Sequence, residues 1–200
     1  MLRLLLSSAF MTIALTAIPA SAGDTKVAIF AGGCFWCVEK DFDHVKGVTE
    51  TISGYIGGKK DNPTYKTHVA NGDREAVQIR YDASVVTYSD LLRTFFRTVD
   101  PTDDGGQFCD RGHSYTTAIY AMNEDQAAQA EAARAEAEKT LGRAVVTGIE
   151  PPATFWPAED YHQDFYEKSP VRYTYYRRAC GRDAAVKTLW GGQAYSGLDK

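Results

Sequence analysis

Two strand–helix–strand units in series, split by a loop dense in turn formers, constrain this chain more than any other feature. Val27–Ala31 is a compact apolar run of the kind left by a buried strand. Gly32 and Gly33 end it. Cys34–Val45 then carries Phe35, Val38 and Phe42 at the spacing of one buried helix face. Val48–Ile56 reads as a second strand, and Gly57–Pro63 holds too many turn residues to continue it. In the second unit, Glu75–Tyr81 alternates polar and apolar as a half-buried strand does. Ser89 caps a helix that buries Leu91, Leu92, Phe95, Phe96 and Val99. Asp100–His113 is a glycine-bearing loop, Ser114–Ala121 another strand, Asn123–Leu141 an alanine-rich helix, and Ala144–Ile149 a last strand. Elements in this order predict an α+β sandwich with a ferredoxin-like (split βαβ) core. From Pro151 the chain turns irregular and tyrosine-rich, with short helices expected at Asp160–Glu167 and Arg182–Leu189. It reads as a C-terminal wrap around the core.

Residues 1–22 stand apart from this pattern. Met1-Leu2-Arg3 is a short basic start, Leu4–Ile18 carries no charge, and Pro19-Ala20-Ser21-Ala22 offers the small residues of a cleavage site. The expectation is a signal peptide ending near Ala22, with a single domain over residues 23–200 and a periplasmic or otherwise secreted location. The apolar stretch is short for a membrane span. Across the chain 22 basic side chains face 26 acidic ones, a formal charge of −4. That balance argues against nucleic acid or an anionic membrane as partner, because both call for a basic patch. A soluble monomer is the expectation after cleavage.

Four cysteines, Cys34, Cys37, Cys109 and Cys180, would enter an oxidising compartment. Two structural disulfides are one reading of the even count. A chain of this length buries enough surface without staples, so redox chemistry is the better one. Cys34 falls just after a strand and at the first turn of a helix. Free amide groups and the helix dipole there favour a thiolate, the reactive form of the side chain. Gly32 and Gly33 would let the backbone turn sharply and leave room for a substrate, while Phe35 and Trp36 wall the sulfur. An inert buried cysteine explains neither the glycine pair nor the helix-start position.

Here the chain resembles a known family. Gly33-Cys34-Phe35-Trp36 looks like the active-site signature of the A-type peptide methionine sulfoxide reductases. Asn62-Pro63-Thr64-Tyr65, Glu75-Ala76-Val77, Cys109–Tyr115 and Tyr161-His162-Gln163-Asp164 are similar to further motifs of that family, in the same order. The likeness runs from about Val27 to Leu189. Two positions depart from it. Asp73-Arg74 stands where the family commonly has His-Ala before the glutamate, which sets an arginine beside the acid, able to lower its pKa if the side chains meet. Cys37 stands where glycine is frequent and creates a C-x-x-C.

The resemblance implies reduction of methionine S-sulfoxide, free or peptide-bound, and so protein repair under oxidative stress, with no metal and no cofactor. Cys34 would attack the electrophilic sulfur and Glu75, kept protonated by an apolar site, would protonate the departing oxygen. Tyr65 and Tyr115 would donate hydrogen bonds to that oxygen and Asp110 would fix the donor network. Phe35 and Trp36 would hold the substrate methyl group. The product on Cys34 is a sulfenic acid, which a second thiol must convert to a disulfide that a thioredoxin-like reductant opens. Cys180, on a tail segment able to swing over the site, ranks first as resolving cysteine, with Cys37 and Cys109 as alternatives. Glu39 reads as a solvated first-turn glutamate, His44 and His68 take no metal role, and His162 and Tyr173–Tyr176 read as anchoring and packing for the tail.

Two other functions compete. A thioredoxin-like thiol–disulfide oxidoreductase would use Cys34 and Cys37 but leaves Tyr65, Glu75, Asp110 and Tyr115 without a task. A structural zinc protein wants a second cysteine pair or a histidine pair that the sequence lacks.

Overall fold

The computed structural model describes residues 25–199. The leader proposed at residues 1–22 lies outside them. In chain order the elements are β1 Thr25–Gly32, α1 Phe35–Asp43, β2 Val48–Ile56, α2 His68–Asn71, β3 Arg74–Asp82, α3 Tyr88–Phe96, β4 Gly106–Gln107, β5 Asp110–Arg111, β6 Thr117–Tyr120 and α4 Glu124–Leu141. They continue with β7 Gly148–Glu150, β8 Phe155–Pro157, α5 Phe165–Lys168, α6 Pro170–Ala179 and α7 Arg182–Trp190.

The main sheet runs β7-β6-β1-β3-β2-β8. Its inner four strands, β6-β1-β3-β2, pair antiparallel throughout and follow the split βαβ order. One face of β1 and β3 presents Ala28, Phe30, Val77, Ile79 and Tyr81 to Phe35 and Phe42 of α1, Leu91, Leu92 and Phe95 of α3, and Ala130 and Ala137 of α4. Phe30 packs on Phe95 with ring centroids 5.0 Å apart and on Phe42 at 5.5 Å. Burying each such ring stabilises the fold by about 1.5–3 kcal/mol. The alternate residues, Ile29, Ala31 and Ala76, face the other way and pack against Ala153 and Phe155. The two faces of β3 decide which side chains reach the site.

Two expectations need correcting. The first concerns α3, where Thr87 rather than Ser89 is the cap. Its side chain accepts from the Asp90 amide while Asp90 bonds back to the Thr87 amide, a reciprocal capping box. The second concerns the tail, where α7 stands at the helix expected over Arg182–Leu189 and α5 overlaps the end of the one expected over Asp160–Glu167, but a third helix, α6, lies between them. α6, absent from the expectation, starts with Pro170, whose missing N–H costs nothing at a first helical position. It mixes aromatic and basic residues with little amphipathic pattern, so periodicity gives no signal. The segment 155–157 also adds a strand, β8, to the free edge of β2. No described helix is long and apolar enough to cross a membrane.

Candidate active site

Cys34 stands at the junction of β1 and α1, as the N-cap residue of α1. The turn that puts it there requires Gly33, with φ +87°, and a Cβ at that position would lie 2.6 Å from the Gln107 Cβ. The glycine therefore admits Gln107 of β4 rather than opening space for a substrate. Gln107 is itself fixed, donating to the Asp100 and Gly106 carbonyls at 2.7 and 2.8 Å.

Cys34, Phe35, Trp36, Tyr65, Glu75, Asp110 and Tyr115 line one cavity of about 50 Å³, with Tyr176 closing it. A cavity of that size is small, with room for only a few water-sized groups at roughly 10–15 Å³ each. A larger hollow of about 370 Å³, beside Arg177 and Asp183, carries charge but no nucleophile.

Glu75 reaches the cavity because of strand parity. It shares the face of Val77, Ile79 and Tyr81, whereas Arg74 points to the opposite face. Arg74 bonds there to the Thr116 and Tyr120 hydroxyls at 2.9 and 3.0 Å and pairs with Glu150 at 3.2 Å. The side chains of Arg74 and Glu75 do not meet. Burial instead pushes the Glu75 carboxyl up to about 8, against the pull of the Phe35 amide that donates to its Oε2 at 2.9 Å. Glu75 is a neutral acid at neutral pH. Burial also raises the Tyr65 and Tyr115 hydroxyls, which stay protonated donors.

The helix-start argument overstates the ease of ionising Cys34. The sulfur is buried, and burial is the main cause that holds its thiol well above the usual range, followed by its hydrogen bond to Cys37 and by negative charge on Cys37 and Glu75. In return the Cys37 thiol falls to about 7, chiefly because Cys34 donates to it, with Arg182 and Arg177 adding positive charge. The two sulfurs act as one site that gives up a first proton readily. With Glu75 neutral, its repulsion of the Cys34 thiolate disappears.

Cys180 does not hang free. It follows α6 and forms a disulfide with Cys109, leaving Cys34 and Cys37 as thiols. The pairs are linked through two side chains. The Tyr176 hydroxyl donates to Asp110 Oδ2 and lies within reach of the Cys34 sulfur, and the same Asp110 oxygen lies 3.8 Å from Cys180 Sγ. Tyr176 is the site residue that sequence reasoning assigned to packing. Its one visible signal is the i, i+3 spacing from Tyr173 on a helix that ends at a cysteine. Among the described residues, Cys109, Cys180 and Asp110 form the single group with metal-ligand spacing, but the disulfide ties up both sulfurs.

Trp36 and Phe35 are held from behind. Trp36 stacks on Phe165 at 3.9 Å and donates from Nε1 to His162 Nδ1 at 3.1 Å, and Phe35 packs on the same imidazole. Glu39 is fully buried rather than solvated. It receives the Asp164 amide at 3.1 Å, and burial raises its carboxyl to about 8, yet it stays outside the cavity.

A sequence model of the family described as peptide methionine sulfoxide reductase matches residues 26–194. The peptide methionine sulfoxide reductase MsrA 2 of Rhizobium meliloti is 56% identical, with 99% of each chain covered. The protein of the same name from Caulobacter vibrioides is 45% identical over 96% of this chain and 98% of its own. Among solved structures, reduced Mxr1 of Saccharomyces cerevisiae superposes with a TM-score of 0.70 at 30% identity, covering 80% of this chain and 93% of that one.

Proposed function

The chain belongs to the peptide methionine sulfoxide reductase family and reduces methionine sulfoxide with thiols, and we propose that Cys34, Glu75 and the cavity around them carry that reaction. One observation supports the assignment above all others. A buried thiol and a carboxylic acid kept neutral share a cavity sized for a sulfoxide head.

In this reading Tyr65 and Tyr115 donate to the sulfoxide oxygen, and the aromatic wall of Phe35 and Trp36 takes the methyl group. A site with methyl on one side and oxygen on the other accepts one epimer alone, which the family resemblance makes the S epimer. The Cys34 sulfur bonds to the sulfoxide sulfur as Glu75 protonates the oxygen. Collapse returns methionine and leaves the oxygen on Cys34 as a sulfenic acid, so the substrate sulfur gains two electrons and Cys34 loses two. The proton given by Glu75 is replaced by the one Cys34 shed. Asp110 orients the hydroxyl network through Tyr176.

The relay we favour differs in order from the ranking by sequence. Cys37, hydrogen-bonded to Cys34, attacks the sulfenic acid, expelling water and forming a Cys34–Cys37 disulfide. A thiolate of the Cys109/Cys180 pair then attacks that disulfide, and its partner completes the exchange, restoring the Cys34 and Cys37 thiols. A Cys109–Cys180 disulfide beside free Cys34 and Cys37 is the state that such a transfer would leave. Cys109 is exposed, so a thioredoxin-like dithiol can open the disulfide there.

Single-turnover mass spectrometry on pre-reduced protein tests this, with each epimer of a methionine sulfoxide peptide supplied separately. Consumption of the S epimer with early Cys34–Cys37 and later Cys109–Cys180 linkage is the expected result. A Cys34–Cys180 bond formed first restores the order read from sequence. Consumption of neither epimer, with ready exchange on protein disulfides, favours the oxidoreductase reading. Export with cleavage near Ala22 is part of the proposal and rests on the composition of residues 1–22. Amino-terminal sequencing of protein recovered from a periplasmic fraction tests it.

A further inference from the structure

One buried histidine beside Glu75 has no role in the chemistry described so far. His68 is 1% exposed, at the start of the short helix α2. Its ring lies between two tyrosines, stacked on Tyr55 at 4.9 Å and on Tyr65 at 5.6 Å. Its Nδ1 lies 2.9 Å from the Tyr65 carbonyl oxygen. A carbonyl only accepts, so Nδ1 must carry the hydrogen, and a neutral ring then has a bare lone pair on Nε2. That Nε2 is buried with no hydrogen-bond partner, and the atom it meets is Glu75 Oε1 at 3.7 Å. The other oxygen of Glu75 already accepts the Phe35 amide, so Oε1 is the position left for the acid's proton.

We propose that His68 is a positioning residue that keeps the catalytic proton on Glu75, its bare Nε2 facing the protonated Oε1 and accepting from it until the sulfoxide oxygen takes that proton. The inference rests on the assignment of Glu75 as the acid. The present separation is longer than a hydrogen bond, and a contraction of about half an ångström on substrate binding completes it, as catalytic contacts often tighten only in the complex. Once Glu75 has given its proton to the sulfoxide oxygen, the Cys34 proton can return to Oε1, and the lone pair of Nε2 favours that return over release to solvent. No net proton is gained or lost.

The surroundings agree with a neutral ring. Burial lowers the affinity of His68 for a second proton, although Asp73 and Glu159 nearby act in the opposite sense. His162 across the tail opposes charging of the pair of rings. Around Glu75 the titratable neighbours are Asp110, Cys37, Cys34, Tyr65 and Tyr115, of which Asp110 and Cys37 raise its carboxyl and the Tyr115 hydroxyl lowers it.

Two substitutions separate the nitrogens. His68→Asn retains a donor for the Tyr65 carbonyl and lacks anything at Nε2, whereas His68→Gln places its amide near the Nε2 position. The measurement is the rate of sulfenic acid formation against pH in single turnovers, with the S epimer and pre-reduced protein. For His68→Asn the alkaline limb is expected to move down by about one pH unit, the equivalent of one hydrogen bond favouring the protonated acid. His68→Gln should recover part of that shift. A lower plateau with the limb unmoved, or no change at all, overturns the proposal and leaves His68 a packing residue. If the wild-type protein consumes no sulfoxide, the assignment of the site falls with it. Nitrogen-15 NMR of the wild-type imidazole keeps the idea open to refutation should the variants fold poorly. The expected signature is an unprotonated Nε2 whose shift follows the alkaline limb, and a protonated Nε2 at neutral pH overturns the proposal.

Discussion

The two cysteine pairs occupy opposite kinds of place. Cys34 and Cys37 lie one helical turn apart, both buried, and hydrogen-bonded to one another at the foot of α1. Cys109 and Cys180 lie 71 residues apart, where a loop meets the end of α6, with Cys109 exposed. The inner pair sits where desolvation controls protons, next to a carboxylic acid of pKa about 8. The outer pair sits where a protein-sized reductant can reach it. Separating the pairs lets the cavity stay small and dry while oxidising equivalents leave by the surface.

The sharpest way to break that division is to remove one sulfur from each pair. Cys34→Ser should abolish sulfoxide reduction under every reductant, because among the described residues no other sulfur lines the cavity. Cys109→Ser should leave turnover with a small dithiol within about twofold of the wild type, since only exchange between proteins is lost. Parallel assays with dithiothreitol and with a thioredoxin system decide it. Equal loss in both assays for Cys109→Ser would put the outer pair inside the chemistry.

A smaller effect concerns the acid. Glu75→Gln should slow sulfenic acid formation by roughly 10²- to 10⁴-fold, the usual contribution of a general acid. The sign of the pH dependence follows from its raised pKa. Glu75 holds its proton below about 8 and loses it above, so the wild-type rate falls as pH rises through that value. Stopped-flow rates from pH 6 to 10 test this. The fall should vanish in Glu75→Gln and persist in Arg74→Ala, whose side chain lies across the sheet.

The outer pair should register in stability instead. Closing a chain separation of 71 residues restricts the unfolded ensemble. Reducing that disulfide should cost up to about 4 kcal/mol on the chain-entropy model. Urea unfolding of wild type, oxidised and reduced, against Cys109→Ser measures it. Cys37→Ser, which breaks no covalent link, should shift the midpoint far less than reduction does.

The inner region was legible in sequence and the outer one was not. The core order β1-α1-β2 and β3-α3-β6 follows from apolar periodicity, because those elements bury one regular face each. The same regularity shows that Arg74 and Glu75, adjacent on a strand, point to opposite faces, so the conjectured contact between them was avoidable. Glu39 escaped because α1 is covered on a second side by the tail, which an amphipathic pattern does not announce. Tyr176, His68 and the Cys109–Cys180 link depend on contacts between segments more than 60 residues apart or on a ring's tautomer, as with Tyr176 to Asp110, 66 residues away. No local rule reads those.

The smallest predicted effect tests the bridge between the two regions. Tyr176 touches both sides, through Cys34 and through Asp110, whose carboxylate oxygen stands beside Cys180. Removing the hydroxyl as Tyr176→Phe keeps the edge-on packing against Trp36, with ring centroids 5.7 Å apart, and deletes only the hydrogen bonds. Losing one such bond is worth about 1 kcal/mol, so passage of the disulfide from the inner pair to the outer should slow by roughly five- to tenfold. Quenched-flow mapping of the two disulfides reads that step apart from sulfoxide reduction. If sulfenic acid formation slows by the same factor, the hydroxyl serves the substrate oxygen and not the passage between pairs. If only the transfer slows, the small number is the more informative one, because it assigns Tyr176 to the gap that keeps the two chemistries apart.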